Sequence, residues 1–218
     1  MTTMRALTRR QLSALGLTLI SRASAQSGRR PKLLLRNFWQ DVNIGDVGHG
    51  PGALTLLYKY FPEAEITLWP KQLGPEPRRL VTQGYPKLKI VEGGLSREGK
   101  PLTPEVAKAW EEADLYISGS GSGFPAHADA IAFHKATGKP VGVFGVSTDP
   151  ISGFGNGREP EGGTLEQIRA KAAQLPATHL PEDYRYIMDR ASFFFCRDTI
   201  SVGYLKAQGV KTPILEFG

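Results

Sequence analysis

From Lys32 to the end of the chain, short apolar runs alternate with amphipathic stretches, and this rhythm constrains the fold more than any single motif. The expected strands are Lys32–Trp39, Ala64–Trp69, Leu88–Glu92, Asp114–Ser118, Pro140–Val146, Ser192–Cys196 and Thr212–Phe217. Most are brief and nearly continuous in apolar residues, as parallel strands covered on both faces are. Helices fit between them at Pro51–Phe61, Pro75–Gly84, Thr103–Ala113, Ala126–Gly138, Thr164–Leu175, Pro181–Ala191 and Thr199–Gln208. Their ends are marked. Thr103 places a capping hydroxyl before Pro104 at the first helical position, and Gly138 and Gly209 each stop a helix just ahead of a strand. Right-handed crossovers then give a doubly wound, mostly parallel Rossmann-like α/β sheet, whose ligands bind outside the carboxyl ends of the strands. One connector is long: the Gly/Pro-rich stretch from Ser147 to Gly163 follows the fifth strand, and such a loop is either a lid or binding loop, or disordered.

Charge first suggests a basic partner, because 27 Lys and Arg stand against 21 Asp and Glu. The excess sits at the N-terminus. Residues 1–25 hold Arg5, Arg9, Arg10 and Arg22 and no acid, followed in part by the apolar stretch Leu12 to Ile20 and an A-x-A cleavage pattern at Ala23-Ser24-Ala25. Without them the balance is close to neutral, so no nucleic-acid partner is expected. Thr8-Arg9-Arg10-Gln11-Leu12 resembles a twin-arginine export signal, with an ordinary secretory signal as the other reading. Either makes the mature protein exported, with the periplasm as its expected residence. Residues 26–31 then form a polar linker, and 32–218 the α/β domain. The lone Cys196 excludes an internal disulfide framework. No run of eighteen apolar residues occurs, so no membrane span is expected.

Three segments at expected strand ends carry unusual chemistry: the Gly-rich loop Asn43 to Gly52, the turn Ser118 to Gly123, and Cys196-Arg197-Asp198. Glycines let backbone approach a ligand, and helix N-termini favour anions. A dinucleotide fingerprint fits poorly. Gly48 to Ala53 lacks the third glycine, and the second strand ends Leu68-Trp69-Pro70 where an acidic ribose ligand belongs. Neither glycine-rich segment has the Gly-Lys-Ser/Thr ending of a P-loop. His127 and His134 are spaced to share a helix face, but nothing completes a metal-ligand pattern with them, so neither metal nor cofactor is assigned.

In order, these pieces resemble the polysaccharide pyruvyl transferase family. Asn43-x-Gly45-Asp46 looks like its N-x-G-D loop, Ala113 to Gly123 like its strand with a Gly-rich turn, Lys139 to Val146 like its next strand, and Phe194 to Leu205 like its Arg-Asp-x-x-Ser segment. In this chain Ser118 and Ser120 interrupt what is usually a Gly-Gly-Gly turn. The resemblance implies two Rossmann-like domains facing across a cleft, as in GT-B glycosyltransferases, with this chain as the N-terminal half. It also implies transfer of a pyruvyl group from a phosphoenolpyruvate-like donor onto a sugar of an envelope polysaccharide as a ketal. On that reading Asp46 and Arg197 are the catalytic candidates, and Asn43, Gly45, His49, Gly119, Ser120, Gly121 and Asp198 the substrate-binding ones. Asp46 is equally well read as a helix cap or Asx turn, Arg197 as the partner of Asp198 or another carboxylate, and His49 as a solvent-facing loop side chain. An exported glycan- or anion-binding protein without transfer activity is the second function consistent with the sequence.

Overall fold

The computed structural model describes residues 29–148, 164–212 and 214–215. The expected export signal, half of the expected linker and nearly all of the long stretch after the fifth strand lie outside these residues. Seven strands form one wholly parallel sheet: β1 (Lys32–Asn37), β2 (Glu65–Pro70), β3 (Lys89–Ile90), β4 (Leu115–Ser122), β5 (Val141–Ser147), β6 (Phe193–Cys196) and β7 (Ile214–Leu215). Their order is β3-β2-β1-β4-β5-β6-β7. The chain therefore reverses its direction of travel across the sheet between β1 and β4, the switch point of a doubly wound Rossmann-like fold.

The helices are α1 (Ile44–Tyr60), α2 (Pro75–Gly84), α3 (Pro104–Glu112), α4 (His127–Thr137), α5 (Leu165–Gln174), α6 (Glu182–Met188) and α7 (Thr199–Ala207). Caps account for several of the boundaries. Thr103 Oγ1 accepts the Val106 amide, Thr164 and Gln167 close a reciprocal capping box, and Gly138 ends α4 in the left-handed region. Two cores sandwich the sheet. Leu33, Leu35, Ile66 and Leu68 point to one face beneath Leu54 and Leu57 of α1 and Val81 of α2. Leu34, Trp69, Tyr116 and Val143 point to the other, against Trp110 of α3, Phe133 of α4 and Ile187 of α6. Among the described residues no helix is long and apolar enough to cross a membrane.

Two expected loops are regular structure instead. The stretch from Asn43 to Gly52 is not a loop: α1 begins at Ile44, seven residues before the expected start, and runs through Gly45, Gly48, Gly50, Pro51 and Gly52. Asn43 starts it, its Oδ1 accepting the Gly45 amide at 2.8 Å while its carbonyl accepts the Val47 amide at 3.0 Å. Packing then overrides the weak propensity. The Phe38 ring lies where a Cβ on Gly50 would stand, so the helix is held close over the end of β1. Tyr85 braces the Pro51 turn, its hydroxyl donating to the Pro51 carbonyl at 2.8 Å. The second correction concerns Ser118 to Gly123. β4 continues to Ser122, with Gly121 paired to Val146 and Ser122 to Ser147, because the glycines admit the neighbouring strand where side chains would clash. A Cβ on Gly119 would run into the Phe144 carbonyl.

Candidate functional site at the carboxyl edge of the sheet

All strands being parallel, the residues that follow β1, β4, β5 and β6 lie along one edge. Asn43, Gly45 and Asp46 occupy the start of α1 beside the switch point between β1 and β4. Asn43 is exposed, and its side-chain carbonyl is engaged in capping. His49 is not a loop residue. It stands in the second turn of α1, half-buried, with Nδ1 shielded from solvent and no hydrogen-bond partner among the described residues. Gly119, Ser120 and Gly121 form the carboxyl half of β4, and the Ser120 carbonyl accepts the Trp39 indole N–H at 2.5 Å.

Arg197 follows β6 directly and is exposed. Its Nε donates to Ser147 Oγ at 2.8 Å and its amide to the Val146 carbonyl at 3.1 Å. Asp198 is not its partner. That carboxylate caps α7, with Oδ1 accepting the Ser201 amide at 2.7 Å and Oδ2 accepting the Ser201 hydroxyl at 2.9 Å. Among the described residues no carboxylate pairs with Arg197, whose side chain is steadied at Nε. Strand order also sets a spacing. β6 lies two strands from β4 and three from β1, roughly 10 and 14 Å at the usual inter-strand distance. Arg197 and the start of α1 thus stand well apart along the same edge.

Three features at this edge escaped the sequence reading. Arg36, with its side chain 4% exposed, pairs with Asp129 in the first turn of α4 at 2.8 Å, donates to the Trp69 carbonyl at 3.1 Å and lies 4.1 Å from the Trp69 ring centre. A charge inside the apolar run Leu33 to Trp39 was the available signal. His127, the first residue of α4, meets Asp183 through Nε2 at 2.9 Å and stacks on Tyr184 with ring centres 3.9 Å apart. Its partner is 56 residues away in sequence, which hides the pair from any spacing argument. His134 turns to its own helix end, its Nδ1 against the Lys139 carbonyl, so the two histidines do not share a ligand. Among the described residues no cluster of three His, Cys, Asp or Glu side chains could hold a metal. Trp39 is the third feature, half-buried over the end of β4.

Concave surface alone does not mark this edge. A shallow groove of about 700 Å³ lies at the opposite, amino edge, lined by Arg29, Lys32, Lys108, Glu111 and Glu112. Its charges are largely satisfied within the chain, Arg29 by Asp114 at 2.6 Å and Lys32 by Glu112 at 2.8 Å. Those pairs tie the start of β1 to the end of α3 and the residues after it.

The fold and its strand-end groups define an α/β protein of the Rossmann-like class, with polar and charged groups set along the carboxyl edge. The chain belongs to the polysaccharide pyruvyl transferase family, whose model matches residues 43–217. No curated protein matches it. Among solved structures it is similar to an Arabidopsis thaliana UGT complexed with UDP-L-rhamnose, at 13% identity and a TM-score of 0.46, covering 87% of this chain and 52% of that one. A UGT transferase from Siraitia grosvenorii in complex with UDP is alike at 10% identity and a TM-score of 0.46, covering 87% and 50%. The chain spans about half the length of both. A putative short-chain alcohol dehydrogenase from Burkholderia multivorans has a TM-score of 0.38 at 13% identity, covering 86% and 96%.

Proposed function

We propose that this chain carries one wall of the cleft of an exported pyruvyl transferase, which moves the pyruvyl group of phosphoenolpyruvate onto a sugar of an envelope polysaccharide. The reaction protonates the methylene carbon of the enol phosphate, adds two sugar hydroxyl oxygens to the adjacent carbon and releases phosphate, leaving a ketal. It needs a cation for the phosphate or carboxylate, an acid for the carbon and a base for the hydroxyls. The observation that carries the reading is Arg197. Its guanidinium is steadied by Ser147 through Nε, has no carboxylate partner among the described residues, and stands at the ligand edge of a family member. The two terminal amino groups suit bidentate contact with a phosphate. His127, paired with Asp183 at the start of α4, is the group suited to carrying the proton, and Asp46 at the start of α1 to orienting the sugar hydroxyl.

Calorimetric titration with phosphoenolpyruvate, alongside phosphate release in the presence of glycan acceptors, tests the reading. Arg197→Lys keeps the charge and loses the fork, and is expected to weaken donor binding by on the order of tenfold or more. Asp46→Asn is expected to lower turnover with donor binding retained, and His127→Gln to lower turnover likewise. Donor binding insensitive to Arg197→Lys sinks the assignment. Binding without phosphate release on any acceptor favours the glycan- or anion-binding protein.

A further inference from the structure

Trp39 belongs to neither buried core cluster, yet its ring is held by contacts to the end of β4 and to Arg36. Phe38 takes the left-handed conformation, φ 56°, which is unfavourable for a residue with a Cβ. Phe38 thereby sends its own ring inward against Gly50, while Trp39 lies across the switch point to the end of β4. The indole N–H donates to the Ser120 carbonyl at 2.5 Å, and the same nitrogen sits 3.4 Å from the place a Cβ on Gly121 would occupy. The Arg36 guanidinium, fixed by Asp129, stands 5.7 Å from the ring centre. The ring is half-buried, and beside it Ser122 ends β4 with its side chain exposed.

From this geometry we infer that Trp39 is the stacking platform for the acceptor sugar, with the hydroxyl of Ser122 at its rim. A pyranose is amphiphilic. One face presents C–H groups and is apolar, while its hydroxyls point outward around the ring. The complementary surface is a flat apolar face with hydrogen-bonding groups at its border, and an indole whose N–H is already satisfied offers such a face without leaving a donor unpaired. Its location agrees with its role, since the switch point is where an α/β sheet opens to ligands. Arg197, two strands beyond β4, leaves room for a charged donor next to a sugar seated on Trp39. The inference rests on the acceptor being a sugar, as proposed above, and it names the residue that receives it.

The protein supplies its own probe. Its three tryptophans are Trp39, Trp69 and Trp110, and the latter two are 0% and 3% exposed. Quenching by acrylamide in the full chain therefore reports on Trp39. Methyl pyranosides of glucose, galactose and mannose are titrated, with phosphoenolpyruvate and UDP as anionic comparisons. At least one pyranoside is expected to shield the emission from acrylamide. Trp39→Leu should lower that pyranoside's affinity by about tenfold, the scale of one aromatic contact, and Trp39→Phe should retain most of it. Phosphoenolpyruvate affinity should be unchanged in both variants. The inference is overturned if no pyranoside shields Trp39, if UDP or phosphoenolpyruvate alone does, or if Trp39→Leu binds sugar normally. Because the shielding measurement uses the unmodified protein, it decides even where Trp39→Leu fails to fold. Loss of donor binding in Arg197→Lys is a separate readout, so failure of the platform and failure of the transferase reading are told apart.

Discussion

Arg36 and Asp129 form a nearly buried ion pair, Nε to Oδ2 at 2.9 Å, that ties the carboxyl half of β1 to the first turn of α4 across the sheet face. The pair lies beneath the switch point, with the Tyr116 hydroxyl buried beside it. Burial pushes the Tyr116 phenol far above its ordinary range, so it stays neutral here. Removing one partner leaves a cation inside the protein with no counter-charge. Asp129→Ala is expected to destabilise the fold by about 3 kcal/mol. The paired change Arg36→Met with Asp129→Leu should cost much less, because it removes the stranded charge as well. Guanidinium unfolding midpoints of the single and double variants measure this, and equal losses would mean the ion pair is incidental.

Gly50 supplies a second test, because its absent side chain is what lets α1 sit on Phe38. Gly50→Ala adds a methyl group into the ring and is expected to cost about 1–3 kcal/mol, despite the better helix propensity of alanine. Adding Phe38→Leu should recover part of the loss. A double variant whose cost is the plain sum of the singles would show that the two residues do not press on one another.

Cys196 is fully buried at the end of β6, and burial, with a smaller contribution from the Asp198 charge, pushes its thiol up to about 12. The folded protein should resist thiol reagents at pH 8 and react at once when unfolded. A raised folded-state value means the native state holds the proton more tightly. That contribution is complete below the thiol's ordinary value, about 8.5, and is lost as pH climbs from there toward about 12. Stability should therefore fall more steeply over alkaline pH in the native sequence than in Cys196→Ala, as denaturation midpoints at several pH values would reveal.

Export is testable without structure. The mature N-terminus should lie at or near Gln26, and Lys-Lys in place of Arg9-Arg10 should block transport. Edman or mass-spectrometric sequencing of protein recovered from the native cell gives the answer. An uncleaved chain retained in the cytosol would refute export and place the protein where phosphoenolpyruvate is made.

Much of this molecule is legible in its sequence because its signals are local. Seven short apolar runs became seven strands, and the hydroxyl of Thr103, the capping box begun by Thr164 and the glycines at 138 and 209 act within a few residues of themselves. The parallel arrangement follows from strands that alternate with helices, and it puts Asn43, Asp46, Ser120 and Arg197 on one edge. What the sequence left open was decided by contacts between distant segments. Glycines and a proline from Gly45 to Gly52 spell a loop by propensity, yet Phe38 and Tyr85 hold them as helix. Glycines and serines after Ser118 spell a turn, yet β5 takes them into the sheet. His127 acquires Asp183 from another helix, and Trp39 acquires Ser120 from another strand. Propensity measures what a segment prefers in water. Packing energy from partners elsewhere in the chain is larger than those preferences, and only the tertiary structure reveals which partners arrive.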